Sequence, residues 1–267
     1  MPTLNEHTAQ TFQEFLSFAD MGQTDDDSAV WFRGTGNSSY SLSPSIHRHS
    51  SINDSTKLFE IEKKLITRFK ERSVPYLTYR LEDAWELLFL MQHYGMPTRL
   101  LDWTENPLIA LFFALSSARQ NSAGTYDNDA AVWVLSPAKW NRCVFRHNSY
   151  QGGAMSPTES MVSSYAPSKE YQYMHEHPVA LLGIHNSPRI VAQRGSFCLF
   201  GKSLQPMEQI YTANNFEDDT LKKIIIPASK ITEILNKLTW MGITDAVIYP
   251  DLEGLAKETK RLFGFSV

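Results

Sequence analysis

Two short stretches gather the residue types that can hold or transform an anionic small molecule. The first is Trp31-Phe32-Arg33-Gly34, in which an arginine stands beside a glycine where a strand should end. A guanidinium fork matches phosphate or carboxylate, and a residue without Cβ lets a ligand approach the backbone amide. The same pair also suits an ion-paired arginine in a tight turn. The second is His93-Tyr94-Gly95-Met96-Pro97-Thr98-Arg99-Leu100-Leu101-Asp102-Trp103. Arg99 and Asp102 are three residues apart there, so in an extended chain their side chains face opposite ways. Asp102 also lies just before an apolar helix, where a carboxylate can satisfy amides at the helix N-terminus, and Glu105 and Asn106 share that location. A structural cap or salt bridge and a catalytic role therefore both stand as readings of Asp102.

Other chemistries lack their signatures. His47/His49 and His175/His177 each put two imidazoles at strand spacing, but no third and fourth ligands follow at a diagnostic distance, so no metal is expected. Gly34-Thr35-Gly36 lacks the third glycine of a dinucleotide fingerprint, and neither a phosphate-binding GxxxxGK[ST] loop nor a GxSxG elbow occurs. Cys143 and Cys198 have no CxxC spacing and no nucleophile signature, and read as two reduced thiols.

The positioning elements follow from periodicity. Phe12, Phe15, Leu16 and Ala19 recur at helical spacing, an acidic loop follows at 25–27, and Ala29-Val30-Trp31-Phe32 reads as a short strand delivering Arg33. Leu58, Ile61, Leu65 and Phe69 mark one face of a helix that Asp54 or Ser55 can cap. A second helix from about Glu82 to Tyr94 stops at Gly95, a left-handed cap, and Pro97. Thr98 to Asp102 should be extended, and Asn106-Pro107 opens a helix whose apolar run, Leu108 to Leu115, belongs in a core. Further strands are expected at Ala131–Leu135, Arg189–Ala192 and Ser196–Phe200, and the C-terminal part reads strand, helix, strand, helix, with Ala246-Val247-Ile248-Tyr249 as the second of those strands. Between them, Gln151 to His177 is polar and aperiodic, the pattern of a functional or mobile loop.

Taken together, these elements predict an α+β fold, a central mixed or antiparallel sheet flanked by helices, in one domain spanning 1–267, with a helical insertion at about 54–95 and a mobile polar loop at about 146–178. The net charge of −4, with Lys and Arg scattered along the chain, disfavours nucleic acid as an electrostatic partner. The longest apolar run is too short to span a bilayer and the N-terminus has no signal-like pattern, so the chain reads as soluble and cytoplasmic, with no membrane partner. Nothing here speaks to its oligomeric state.

Phe32-Arg33-Gly34 and the run from Gln92 through His93, Arg99, Asp102 and Trp103 to Pro107 resemble the motifs of the FRG-domain family. The similarity continues through Ala110–Ala114, Arg189-Ile190 with Gln193–Phe197, and Met241–Ile243 with Tyr249–Ala256. A weaker resemblance is to the ADP-ribosyltransferase fold, in which an arginine or histidine followed by glycine ends an early strand and holds NAD. That likeness implies a cleft around Arg33 and Asp102 that takes NAD as substrate. In it, Arg33 would bind ribose or pyrophosphate and Gly34 would receive the carboxamide, with Tyr94 or Trp103 stacking on the nicotinamide and Arg99 and Asn106 completing the binding set. Where such transferases carry a late-strand glutamate this chain has Gln193, a substrate-orienting amide, which leaves Asp102 or Glu253 as the catalytic carboxylate. The competing expectation is a non-catalytic recognition module that grips a small anion, a peptide or a nucleic-acid element in the same cleft. The partner is then a nucleotide or a modified macromolecular target.

Overall fold

The computed structural model describes residues 1–20, 29–77, 81, 83–167, 169, 173–183 and 187–265. The acidic stretch 25–27 and Glu82 lie outside the described residues. The strands are β1 (Asn5–Thr8), β2 (Trp31–Thr35), β3 (Leu100–Thr104), β4 (Ala130–Leu135), β5 (Val179–Leu182), β6 (Gly195–Leu199) and β7 (Leu221–Ile226). The helices are α1 (Phe12–Asp20), α2 (Ser55–Ser73), α3 (Ala84–His93), α4 (Pro107–Ser116), α5 (Pro137–Val144), α6 (Pro188–Gln193), α7 (Met207–Ala213), α8 (Ile231–Trp240), α9 (Asp245–Ile248) and α10 (Leu252–Leu262). The fold is α+β: one sheet in the order β1-β7-β4-β2-β3-β6-β5, antiparallel throughout except for the parallel β1–β7 pair at its edge.

Alternation along the strands splits the interior into three apolar clusters. On one face Phe32, Val132, Val134 and Ile224 meet α1, α4 and α8. Leu100, Leu181, Phe197 and Leu199 carry that packing onward against Trp85, Leu88 and Phe89 of α3. On the other face Trp31, Leu101, Trp103 and Trp133 pack with Trp140 of α5 and Met207, Ile210 and Tyr211 of α7. The three indole rings at Trp31, Trp103 and Trp133 make this side of the sheet nearly continuous, whereas the first side is interrupted where β2 meets β3.

Local signals explain the helices next to that interruption. Asp54 Oδ1 accepts from Lys57 N at 2.7 Å and Asn106 Oδ1 from Leu108 N at 2.9 Å, so both caps fall where the sequence put them. Gly95, at φ 73°, ends the α3 segment in the left-handed region. Gly34 has a packing duty: a Cβ there would stand 2.0 Å from the Ala110 carbonyl oxygen, so α4 can cross β2 this closely only over a glycine.

Several expectations change. Arg189–Ala192 is helical, because Ser187 Oγ accepts from Ile190 N at 3.3 Å and Pro188 supplies a first helical residue that needs no donor. Residues 246–248 lie in the helical turn α9 rather than a strand, Glu258 Oε2 accepting from Ala246 N at 3.0 Å. β1 and β5 add two strands that the sequence pattern does not predict. In the polar stretch 151–177, the described residues Met155, Val162, Tyr165 and Met174 are buried against the α3 side of the sheet, held by a short helical turn at Ser160–Tyr165. Among the described residues, no helix is long and apolar enough to cross a membrane.

Candidate functional site

β2 pairs with β4 along its full length, Trp31 opposite Leu135 through Thr35 opposite Ala131. Against β3, among the described residues, the register holds a single pair, Phe32 opposite Thr104, and the two strands then part. The parting strips the Asp102 carbonyl of a ladder partner, and a buried carbonyl without one is costly. Arg33 supplies it: Nη1 donates to the Asp102 backbone oxygen at 2.5 Å and stands 3.9 Å from Asp102 Oδ2.

A cleft of about 410 Å³ opens at this parting, within the size range of small-molecule sites. Phe32, Phe89, Phe113 and Phe197 form apolar walls from both halves of the interrupted face, and Arg33, Gln92, His93, Asp102, Arg189 and Gln193 bring polar atoms to it. Among the described lining residues two arginines, Arg33 and Arg189, accompany one carboxylate residue, Asp102. The cleft is thus locally cationic in a chain of net charge −4.

Arg33 keeps part of its guanidinium open to the cleft. By strand alternation it shares a face with Trp31 and with its register partner Trp133, yet its guanidinium reaches the gap between strands and keeps 19% of the side-chain surface open. Burial pulls its pKa below the ordinary arginine value, a shift that Asp102 opposes. It stays charged nonetheless, since arginine is not deprotonated in proteins. Of its five N–H donors, the Asp102 carbonyl engages one group, leaving the fork geometry for an anion.

Asp102 is the exposed residue of an otherwise buried strand, its side chain 56% open. It is nevertheless fixed. Gln92 Nε2 donates to Oδ1 and Oδ2, each at 2.9 Å, and the Gln92 carbonyl oxygen accepts from Thr98 Oγ1 at 2.5 Å. The buried Thr98 hydroxyl therefore sets the flip of the Gln92 amide, and the amide sets the carboxylate. Asp102 does not cap α4; Asn106 does, while Thr104 Oγ1 accepts from Asn106 N at 3.0 Å and donates to the Gln193 carbonyl at 2.6 Å.

His93 lies at the rim, its Nδ1 3.5 Å from Ser187 Oγ. Burial and the positive charge of Arg189 hold its pKa below the usual imidazole value, against a weaker opposing pull from Asp251. Arg189 lies over the Tyr249 ring at 4.6 Å, and Lys257 approaches the same ring at 4.7 Å. Gln193 is committed in part: its Nε2 donates to the Ile248 carbonyl at 3.3 Å.

Of the residues singled out in the sequence, Arg33, Gly34, Asp102, Trp103 and Gln193 border the cleft. Trp103 is almost wholly buried, and the space a Gly34 side chain would fill is taken by α4 rather than left for a ligand. Tyr94, Arg99, Asn106 and Glu253 are not among the residues lining the cleft, each for a physical reason. Tyr94 follows the last residue of α3 and is exposed, stacking edge-on against His93. Arg99 is sealed in the core, where Nε donates to Glu62 Oε1 at 2.8 Å, Nη1 to the Phe200 carbonyl and Nη2 to the Tyr165 carbonyl at 2.9 Å. Asn106 spends its side chain on the helix cap. Glu253 points outward from α10 and pairs with Lys257 at 2.7 Å.

Gln92, His93 and Arg189 gained no role from the sequence. For Gln92 a signal existed: it lies three and four residues after the buried Phe89 and Leu88, hence a polar residue on the apolar side of a helix. Arg189 carried none, because its place depends on a helix read as a strand.

Residues 28–123 match the family model for the FRG domain, a stretch that includes β2, α2, α3, β3 and α4 and with them Arg33, Gln92, His93 and Asp102. Neither the curated proteins nor the solved structures gave a match. Arg189 and Gln193 join the cleft from beyond the matched residues. The cleft is thus built mainly by the stretch that matches the FRG domain and is closed by the α6 segment.

Proposed function

We propose that this cleft binds NAD or a related nucleotide and cleaves its N-glycosidic bond, passing the ribosyl carbon to water or to an acceptor group. One observation carries the reading: a guanidinium with unspent donors and a fixed but solvent-open carboxylate share one apolar-walled cleft, 3.9 Å apart. In this reading Arg33, with Arg189 adding charge at the rim, holds the phosphates. The phenylalanine walls take the flat bases. As the bond from C1′ to the nicotinamide nitrogen breaks, its electron pair leaves with the ring, which becomes neutral, and positive charge develops on the ribose. Asp102, already oriented by Gln92, stabilises that charge and accepts the proton of the attacking nucleophile.

The assignment moves the carboxylate from the place occupied by Gln193 to Asp102 and leaves Glu253 out, since that side chain lies on the outer edge of α10. A second reading has its own support. Because the Gln193 amide is tied to the Ile248 carbonyl, it can act as a structural brace, and the cleft would then recognise a small anionic ligand without turnover.

Titrating NAD into the protein while following nicotinamide release tests both. The catalytic reading expects saturable binding, weakened about 10- to 100-fold in Arg33→Ala, with release abolished in Asp102→Asn at near-normal affinity. Binding without release by the wild-type protein selects recognition alone. Absence of binding by a folded wild-type protein rejects a nucleotide role.

A further inference from the structure

Helix α10 is docked the wrong way round for an amphipathic helix. At 100° per residue, Gly254, Lys257, Glu258 and Arg261 lie on one side, and this charged side is the one turned to the protein. A Cβ at Gly254 would stand 1.9 Å from the Tyr249 carbonyl oxygen, Glu258 caps Ala246 N, Arg261 Nε meets Asp245 Oδ2 at 2.9 Å, and Lys257 sits over Tyr249. The opposite side, Leu252, Leu255, Ala256, Thr259, Leu262 and Phe263, faces outward. Leu252, Leu255, Leu262, Phe263 and the neighbouring Phe265 leave between 53% and 83% of their surface open. Together that is on the order of 600 Å² per chain, at the upper end of what a monomer ordinarily leaves uncovered and approaching the roughly 800 Å² each partner gives to a standard interface.

We propose that this stripe is a homodimer interface, in which α10 packs antiparallel against α10 of a second copy about a two-fold axis. Two features select a second copy over other occupants. The spacing Leu252, Leu255, Thr259, Leu262 is the 3-4-3 pattern of a helix-pair seam. The helix is also polarised, with Glu253 in its first turn and Lys260 and Arg261 in its last. Residues 253, 256, 260 and 263 form one edge of the stripe, so in an antiparallel pair Glu253 comes beside Lys260 of the partner subunit, and symmetry repeats the contact. Antiparallel macrodipoles favour the same arrangement. An anionic lipid surface is the poorer fit: from Asp251 to Arg261 the charges cancel, and the chain as a whole is acidic. The inference does not rest on the function of the cleft.

Sedimentation velocity of the full chain across micromolar concentrations, together with flotation on phosphatidylserine vesicles, tests it. The wild-type protein should sediment as a dimer. Leu255→Asp with Leu262→Asp should be monomeric with an unchanged circular dichroism spectrum, because both residues lie on the exposed side of α10, outside the buried core. Glu253→Lys or Lys260→Glu alone should weaken association about tenfold, and the two together should restore it; neither surface change threatens folding. A wild-type monomer at every concentration, a dimer indifferent to both sets of variants, or vesicle binding by a monomer would overturn the proposal.

Discussion

Arg33 and Arg99 both sit in aromatic-rich segments beside the central sheet, yet their surroundings differ in a way that separates support from chemistry. Arg99 is enclosed and fully employed: a carboxylate, two carbonyls and the Met174 sulfur accept from it, and its guanidinium lies 5.1 Å from the Phe59 ring centre. Arg33 makes, among the described residues, one hydrogen bond and one long ion contact at the edge of a cleft. A guanidinium whose donors are exhausted by its own protein cannot receive a ligand, and its removal strands the partners it served. One whose donors are idle in a partly closed space has the opposite profile. The comparison predicts where substitution will cost stability and where it will cost binding.

The largest effect should come from Arg99→Met, which leaves Glu62 as an uncompensated buried charge. The expected loss is about 3–5 kcal/mol in urea unfolding, with much of it recovered when Glu62→Leu is added, since an apolar pair can replace a buried ionic one. If the single variant unfolds like wild type, Arg99 is not the anchor described here.

Next in size is a pH effect from the same knot. Burial and the neighbouring Arg99 charge hold His47 at about 4, against an ordinary value of 6.5. As pH falls below 6.5 the unfolded chain takes up this proton first, so stability is full above that pH and declines until about pH 4. The slope amounts to about 3 kcal/mol at most. Urea midpoints measured from pH 7 to 4 should show the decline, and His47→Gln should flatten it; an unchanged slope would mean that other groups carry the acid sensitivity.

Arg33→Ala should move stability by only about 1 kcal/mol, the scale of one hydrogen bond. A loss approaching that of the Arg99 variant would erase the distinction between the two arginines. Gln92→Leu should be comparably mild in unfolding, but it frees the Asp102 carboxylate to rotate. In the catalytic reading it lowers the rate of nicotinamide release more than the affinity for NAD, a kcat effect with KM nearly constant.

The sequence made local punctuation visible. Asp54, Gly95 and Asn106 each act through neighbours within a few residues, so cap and stop signals placed α2, α3 and α4 well. Arg189–Ala192 carries β-branched residues that suggest a strand, but the Ser187-Pro188 helix start that precedes them prevails. β1 was invisible for another reason: Asn5-Glu6-His7-Thr8 has no apolar alternation, and its pairing comes from β7, at the far end of the chain. The cleft was half legible. Arg33 and Asp102 announce themselves by type, but their meeting depends on how β2 and β3 part, and neither the Thr98–Gln92–Asp102 chain of hydrogen bonds nor the arrival of Arg189 can be read from local spacing. Arg99 shows the converse, since a residue type suited to phosphate binding was drawn into the core by Glu62, a partner that motif reading never paired with it.

Isothermal titration of NAD into wild-type protein, Arg33→Ala and Asp102→Asn, each verified as folded by its thermal melt, bears most directly on the cleft as a nucleotide site organised by Arg33. The account predicts binding by the wild-type and Asp102→Asn proteins and a loss of about 10- to 100-fold for Arg33→Ala without a matching drop in melting temperature. Equal affinity in Arg33→Ala and wild type, or no heat of binding in any of the three, would contradict it.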